Sequence, residues 1–130
     1  MPDRLTDEDV ALLKEPQIAS VVTLNPDGSA HVTPVWVDSD GDAVLFNTAK
    51  GRVKHRNIER NPSVAVLVVD KANEYRWVSV RGHAELVDDG ADDFIDFLAK
   101  KYLDKDSYPF RRDDEVRVTV RVVPEHRIAG

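Results

Sequence analysis

Residues 45–68 read LFNTAKGRVKHRNIERNPSVAVLV, and this stretch combines three elements whose order decides the fold. It begins with the end of an apolar strand, expected over about 43–48. The basic residues that follow predict a short helix over about 51–60, and Asn61 and Pro62 end it because a residue before proline disfavours the helical conformation. The apolar run after the proline predicts a strand that is buried on both faces. The centre of the chain is therefore predicted to be strand, helix and strand.

Two turn signals divide the sequence before this stretch. NPDG at 25–28 places a proline where a turn needs a fixed φ, and DSDGD at 38–42 offers a glycine that accepts a positive φ. The β-rich runs around these breaks predict a three-stranded meander over about 17–25, 29–38 and 43–48.

Alternating apolar residues predict two more strands, YRWVSVRGHAELVD at 75–88 and EVRVTVRVV at 115–123. ADDFIDFLAKKYL at 91–103 has apolar residues at helical spacing, with acids in its first turn and lysines in its last. A short first helix is expected after Thr6, which acts as its N-cap. Six strands with tight turns and two or three helices predict a mainly β fold of the α+β class. Its antiparallel sheet is expected to close toward a barrel in a single domain over 1–130.

The composition of the 130-residue chain excludes several kinds of site. It has no cysteine, so disulfide frameworks, thiolate nucleophiles, iron–sulfur clusters and cysteine-ligated zinc are ruled out. The four histidines are scattered without metal-ligand spacing, and no metal site is expected. No apolar run approaches the roughly 20 residues that a membrane span needs, which predicts a soluble, cytoplasmic protein. The net charge of −6 argues against nucleic acid as a partner.

The basic segment at 50–60 is unusual in so acidic a chain. It carries five positive charges and one negative charge, a net of +4 in a protein of net −6. Lys50, Arg52 and Lys54 lie at or just before the N-terminus of the predicted helix, where the helix dipole disfavours cations. An anion bound there by backbone N–H groups and basic side chains would account for this placement. The alternative is a solvated basic face without a ligand.

Three segments carry a resemblance to a known superfamily: HVTPVWV at 31–37, the stretch 45–68, and WVSVRGHAELVDD at 77–89. The most specific part is the pattern T-x-x-x-R-x-K-x-x-N, which begins at Thr48 and ends shortly before NP. In order and spacing the chain resembles the flavin-reductase-like split β-barrel superfamily that includes pyridoxamine 5′-phosphate oxidase. Within it, the chain looks most like the small actinobacterial proteins that use the deazaflavin coenzyme F420. The resemblance covers residues 17–127 and implies a six-stranded antiparallel split β-barrel.

The resemblance also implies a homodimer with the cofactor at the subunit interface. Arg52 and Lys54 match the phosphate-binding pair of the family, while Lys50 and Arg56 suit the oligoglutamate tail of coenzyme F420. The other implied cofactor-binding residues border the ring, the phosphate or the ribityl chain, or approach from the second subunit: His31, Thr33, Pro34, Val35, Asn47, Thr48, Ala49 and Trp77. Tyr75 and the tryptophan two residues later are also large for the outward face of their strand, which predicts a covering partner surface.

These assignments lead to a predicted reductase that depends on reduced coenzyme F420 and passes a hydride to an electron-poor C=C or C=O of a hydrophobic small molecule. The alternatives are an FMN-binding oxidoreductase of the same fold and a non-catalytic protein that binds F420 or a flavin. True pyridoxamine phosphate oxidases carry a longer C-terminal segment with a substrate-binding tryptophan. No tryptophan follows Trp77, which argues against that activity. No catalytic residue is assigned, and the candidates for donating a proton are His31, His83, Ser79 and Tyr75.

Overall fold

The computed structural model describes residues 2–130, which form three helices and seven strands in a single sheet. The helices are α1 (Asp7–Lys14), α2 (Val53–Arg60) and α3 (Ala91–Leu103). The strands are β1 (Ile18–Leu24), β2 (Ala30–Trp36), β3 (Asp38–Ser39), β4 (Val44–Ala49), β5 (Ser63–Asp70), β6 (Asn73–Val87) and β7 (Arg117–Ala129). The six long strands that the sequence predicts are present, and β3 adds a short seventh. None of the helices in this range is long and apolar enough to cross a bilayer.

The sheet is antiparallel throughout and curls into a half-barrel, which confirms the predicted split β-barrel architecture. Its strand order is β2-β1-β5-β6-β7-β4-β3, so β2 forms one end and β3 the other. Inward-facing strand residues pack with Leu12 and Leu13 of α1 and Ile58 of α2 into one core. β2 and β4 approach each other across the curl, but no backbone ladder joins them in residues 2–130. We call the opening between these two strands the seam.

The predicted three-stranded meander is wrong in its third strand. β1 and β2 form the expected hairpin, in register from Ile18 opposite Trp36 to Leu24 opposite Ala30. β4 instead pairs with β7 and β3 at the far end of the sheet. Alternation of apolar residues indicates which face of a strand is buried, but it does not indicate which neighbour completes the hydrogen-bond ladder. The turn signal at 38–42 therefore predicts a hairpin between β2 and β4, whereas the chain crosses from β2 to the other end of the sheet.

The prediction that β5 is buried on both faces is also wrong for the single chain. Val64, Val66 and Val68 are at most 2% exposed, whereas Leu67 and Val69 on the opposite face are 40% and 37% exposed. The apolar side chains of α1 and α2 join the inner core and leave the outer face of β5 uncovered. The apolar run was read correctly as a strand, but the chain itself buries only half of it.

The structure confirms the predicted basic helix and shows how α2 is fixed in place. Arg52 is its N-cap residue, and Gly51 before it has a φ of +90°, a conformation that favours glycine. The Gly51 N–H donates to Nδ1 of the buried His55 at 3.1 Å, which holds the turn against the helix. The side-chain amide of Asn57 donates to Thr23 Oγ1 at 3.0 Å and so ties α2 to β1. The basic segment is thus part of the rigid framework.

α3 packs against β4 and β7 and closes part of the seam. The side-chain amide of Asn47 on β4 donates to the Ala91 carbonyl at 2.9 Å, at the start of the helix. Near its end, the ring of Tyr102 stacks on Trp36 with 5.2 Å between ring centroids. The Tyr102 hydroxyl accepts from the Val37 N–H at 3.0 Å. Burial raises the pKa of Tyr102 to about 12, so this hydroxyl stays protonated at neutral pH.

Candidate functional site

A cavity of about 280 Å³ lies in the seam, between β2 and β4 and against α3. Its basic side chains are Arg52, Lys54 and Arg117, and its aromatic side chains are Trp36, Tyr108 and Phe110. We call this cavity the seam pocket. Its volume is near the lower end of the roughly 300–1,000 Å³ that is usual for small-molecule sites. In one chain, the pocket therefore has room for a part of an extended cofactor.

The three cations of the seam pocket are unevenly neutralised. Arg52 and Arg117 both bond the carboxylate of Glu115, at 2.9 Å and 2.7 Å. Lys54 has no carboxylate within 4.0 Å anywhere in residues 2–130. Burial above all, and then the positive charges of Arg52 and Arg117, lower the pKa of Lys54. The first turn of α2 therefore places an uncompensated positive charge at the pocket.

Arg117 is a pocket residue that the sequence did not indicate. It opens β7 and lies opposite Ala49 of β4, so its side chain shares a face with Asn47. The Arg117 side chain is only 4% exposed, and its guanidinium lies 4.7 Å from the centroid of the Tyr108 ring. The alternation of β7 shows that Arg117 points away from the core valines. Only the β4–β7 pairing, however, brings it beside the basic helix.

Of the four buried polar atoms that lack partners in residues 2–130, two belong to residues that line the seam pocket. In the described part of the chain these side-chain atoms are Thr33 Oγ1, Asn47 Oδ1, Thr48 Oγ1 and Arg117 Nε. Asn47 and Arg117 line the pocket, and the two threonines adjoin lining residues along β2 and β4. Each buried group without a partner costs about 1–3 kcal/mol. Asn47 Oδ1 and Arg117 Nε belong to one face of the sheet at the pocket, as expected of a site whose acceptors and donors serve a polar ligand.

The N-terminus of α2 is built differently from that of α1. α1 has a capping box in which the Thr6 hydroxyl and the Asp9 carboxylate bond backbone N–H groups, and its first turn is acidic. α2 has no side-chain cap and no acid in its first turn. The first N–H groups of a helix have no partner within the helix, and together with the helix dipole they favour an anion. With Lys54 in the same turn, this helix end has the donors of an anion site.

Five of the implied cofactor-binding residues line the seam pocket: Pro34, Val35, Asn47, Arg52 and Lys54. Three more lie close to them along the strands but outside the pocket wall: Thr33, Thr48 and Ala49. His31 is half-buried and lies farther along β2, toward the β1–β2 turn. The structure thus gathers most of the residues from β2, β4 and α2 around one opening.

Three other implied residues lie outside the pocket in the single chain. Lys50 is exposed, and its Nζ is 3.0 Å from a carboxylate oxygen of Asp88. Arg56 is exposed on α2. Trp77 lies in another cleft, where its carbonyl accepts from the Gly130 N–H at 3.1 Å. The proton-donor candidates on β6 are also absent from the pocket wall: Tyr75, Ser79 and His83.

An aromatic cluster forms the apolar wall of the seam pocket. Besides stacking on Tyr102, Trp36 meets Tyr108 edge to face, with 6.0 Å between centroids. Tyr108 in turn meets Phe110 at 5.6 Å, and the Phe110 ring is 64% exposed. Tyr108 and Phe110 lie in the loop between α3 and β7, and contacts made across a fold leave no local pattern in the sequence. A planar apolar group can be held against this wall while its charged part lies at the cations.

The chain matches a known protein family in both sequence and structure. The family model described as pyridoxamine 5′-phosphate oxidase matches residues 5–128. A solved structure named F420 reductase has a TM-score of 0.81 and 34% sequence identity, and the match covers 91% of this chain and 94% of that chain. Among curated proteins, none matches the sequence significantly.

Two further solved structures share the fold at lower identity. A conserved hypothetical protein from Mycobacterium tuberculosis has a TM-score of 0.74 and 23% identity, with 96% of this chain and 84% of that chain covered. A provisionally named pyridoxamine 5′-phosphate oxidase from Listeria innocua has a TM-score of 0.72 and 21% identity, with 95% of each chain covered. At these identities the likeness shows the fold alone.

Proposed function

This chain belongs to the pyridoxamine 5′-phosphate oxidase family, and from that premise we propose that it is an oxidoreductase that uses coenzyme F420. The observation that carries the proposal is the seam pocket, where Lys54 lies without a counter-ion in the uncapped first turn of α2. The relative named F420 reductase supports the choice of cofactor. The proposed substrate is a hydrophobic small molecule with an electron-poor C=C or C=O.

The residues of the seam pocket fit the chemical groups of such a cofactor. Lys54, Arg52 and the α2 backbone would bind a phosphate group. The unpartnered Asn47 Oδ1 is an acceptor suited to a ligand hydroxyl, and Arg117 Nε is a donor suited to a ligand oxygen. Trp36 and its aromatic neighbours would hold a planar ring and exclude water from one side of it. When bound, the deazaflavin supplies the hydride, and the protein supplies binding and orientation.

We also propose that two copies of the chain form a homodimer with the cofactor at their interface. The uncovered outer face of the sheet supports this proposal, because it presents Leu67, Val69 and the 78%-exposed Tyr75. In a dimer, residues of the second copy could complete a pocket that is small in one chain. Trp77, which lies outside the pocket of its own chain, is the proposed contribution from β6.

The second candidate is an FMN-binding oxidoreductase of the same fold. One observation favours it: the residues proposed to hold the oligoglutamate tail are not gathered in the single chain. Lys50 pairs with Asp88, and Arg56 is exposed outside the pocket. FMN lacks this tail and would not need either residue. A third candidate, a protein that binds the cofactor without turnover, uses the same pocket and differs only in activity.

Titration calorimetry with coenzyme F420 and with FMN tests the proposed function. We expect Lys54→Ala to weaken F420 binding about tenfold or more, since it removes a charge-assisted contact to phosphate. We expect Lys50→Ala to weaken F420 binding and leave FMN binding unchanged. Lys71→Ala, which removes an exposed lysine that does not line the pocket, is the matched control and should change neither. Tighter binding of FMN, indifferent to Lys50, would favour the second candidate, and binding of neither cofactor would overturn both.

A further inference from the structure

One carboxylate joins two of the three cations of the seam pocket. Glu115 Oε1 accepts from Arg52 Nη2 at 2.9 Å, and Glu115 Oε2 accepts from Arg117 Nη2 at 2.7 Å. The side chain of Glu115 is only 11% exposed. The N-cap residue of α2 and the first residue of β7 are therefore held together by a single carboxylate bridge, which is exposed on its Arg52 side.

Glu115 bonds two of the cations but does not form part of the pocket wall. The charged residues of the wall are Arg52, Lys54 and Arg117, and no carboxylate of residues 2–130 belongs to it. Burial disfavours the charged form of Glu115, but the hydrogen bonds and charges of Arg117 and Arg52 outweigh it and lower its pKa. The carboxylate is therefore ionised at neutral pH. With it, the three cations and one anion leave a net charge of +2 at the pocket.

We infer that Glu115 is a specificity-determining residue that disfavours a doubly charged phosphate relative to a singly charged phosphodiester. Its fixed negative charge lies across one guanidinium from any anion that the arginines bind, and it repels each further negative charge on that anion. The phosphate of FMN carries about −1.5 to −2 charges at neutral pH, as other phosphate monoesters do. The linking phosphodiester of coenzyme F420 carries one. The inference rests on the proposed function, and it assigns the choice between the two cofactors in part to this residue.

The experiment compares Glu115→Gln with the parent chain for binding of FMN and coenzyme F420 by calorimetry. Sulfate and methyl sulfate, which carry two charges and one charge, serve as probes without a ring and are followed by NMR chemical shifts. Glu115→Asp keeps the charge and tests rescue. Glu85→Gln is the matched control, because Glu85 pairs with Arg121 at 3.5 Å outside the pocket. Thermal unfolding of each variant shows whether it is folded.

We expect Glu115→Gln to raise the affinity for FMN relative to coenzyme F420, and for sulfate relative to methyl sulfate, by about tenfold. The substitution relieves one more unit of repulsion for the doubly charged anion than for the singly charged anion. Glu115→Asp and Glu85→Gln should keep the parent ratios. If the bridge is purely structural, Glu115→Gln should instead weaken the binding of all four ligands together and leave both affinity ratios unchanged. This result would overturn the inference.

The probes separate this inference from the proposed function. If the parent chain binds sulfate but neither cofactor, the proposed function fails while the ratio of sulfate to methyl sulfate affinities still decides the role of Glu115. If the parent chain binds none of the four ligands saturably, no anion is selected at this pocket, and the inference fails as well.

Discussion

At the scale of single residues, Lys54 carries a positive charge that the unliganded fold disfavours. Its ammonium group is partly buried, lies near two arginines and has no counter-ion in residues 2–130. A side chain selected for stability alone would be neutral or acidic at this helix end. The lowered pKa of Lys54 means that the folded chain disfavours its charged form. A bound anion would remove this penalty, and the relief would add to the free energy of anion binding.

Lys54→Met should therefore raise the free energy of unfolding at neutral pH, by up to about 1 kcal/mol after solvent screening. The folded-state pKa of Lys54 lies below its ordinary value of 10.5. The charged form is thus penalised at every pH below the folded-state pKa, and the penalty disappears as the pH rises through that value toward 10.5. The gain should be full at neutral pH and small near the ordinary pKa.

Urea unfolding of Lys54→Met at neutral and at alkaline pH measures this effect. Lys71→Met, at an exposed site, is the control and should show no comparable pH dependence. A Lys54→Met chain that is less stable than the parent at neutral pH would contradict the argument, since it would show that the ammonium group is already well satisfied in the unliganded fold.

At the scale of elements, α2 is held by side-chain hydrogen bonds of Asn57, which the charge pattern of the segment does not indicate. Asn57 is 2% exposed and bonds Thr23, which is fully buried, and also Asn25. Asn57 Oδ1 further accepts from Arg60 at 2.7 Å. The asparagine that closes the sequence pattern of the basic segment is therefore an anchor to β1. It sets where the first turn of the helix, and with it Lys54, meets the pocket.

Asn57→Leu should destabilise the chain by about 2 kcal/mol, because it removes a buried donor and leaves polar partners on β1 unsatisfied. Arg56→Ala on the exposed face of the same helix should change the free energy of unfolding by less than about 0.5 kcal/mol. Chemical denaturation of both variants measures the difference. An Asn57→Leu chain as stable as the parent would show that α2 is held by its apolar contacts alone.

The sequence predicted the elements well and their partners poorly, for a physical reason. Caps, turns and periodicity are local, so the Thr6 cap, the helix that begins after Arg52 and the strands were all accessible. Strand pairing is not local, and the β4–β7 ladder was missed. The position of Arg117 and its bridge to Glu115, which depend on this ladder, were missed with it. The wall formed by Tyr108 and Phe110 was missed because it is built from contacts made by a loop. The cations on α2 could be identified from the sequence, because they lie close together in the chain and their conflict with the helix dipole is a local property.

At the scale of the whole molecule, the chain leaves the outer face of the sheet uncovered over β1, β2, β5 and β6, whereas α3 packs on this face at β4 and β7. β5 places Leu67 and Val69 there, β6 places Tyr75, and β1 and β2 add Ile18 and Val32, which are 56% and 58% exposed. Scattered apolar residues are normal on a surface, but these belong to neighbouring strands of one sheet. The proposed second copy would give this face the burial that the continuous apolar run of β5 led us to predict.

Leu67→Glu should convert the proposed dimer into a folded monomer, because a charge in an apolar interface must be desolvated, while at this exposed site the single chain tolerates it. Sedimentation velocity measures the mass, and circular dichroism checks the fold. Phe97→Glu is the control, since Phe97 is 54% exposed but belongs to α3 and not to the uncovered strands. A parent chain that sediments as a monomer, or a Leu67→Glu chain that remains dimeric, would contradict the proposal.

The seam is closed by side chains of α3, chiefly the Tyr102 contacts with Trp36 and Val37, and not by a backbone ladder. Substitutions around the pocket therefore need not disturb strand pairing, which fixes the register of the rest of the sheet. During descent from a common ancestor, such a scaffold can exchange the residues that face its ligand while the barrel itself is inherited unchanged. We expect divergence among relatives of this chain to concentrate along the seam, and the opposite side of the sheet to change more slowly.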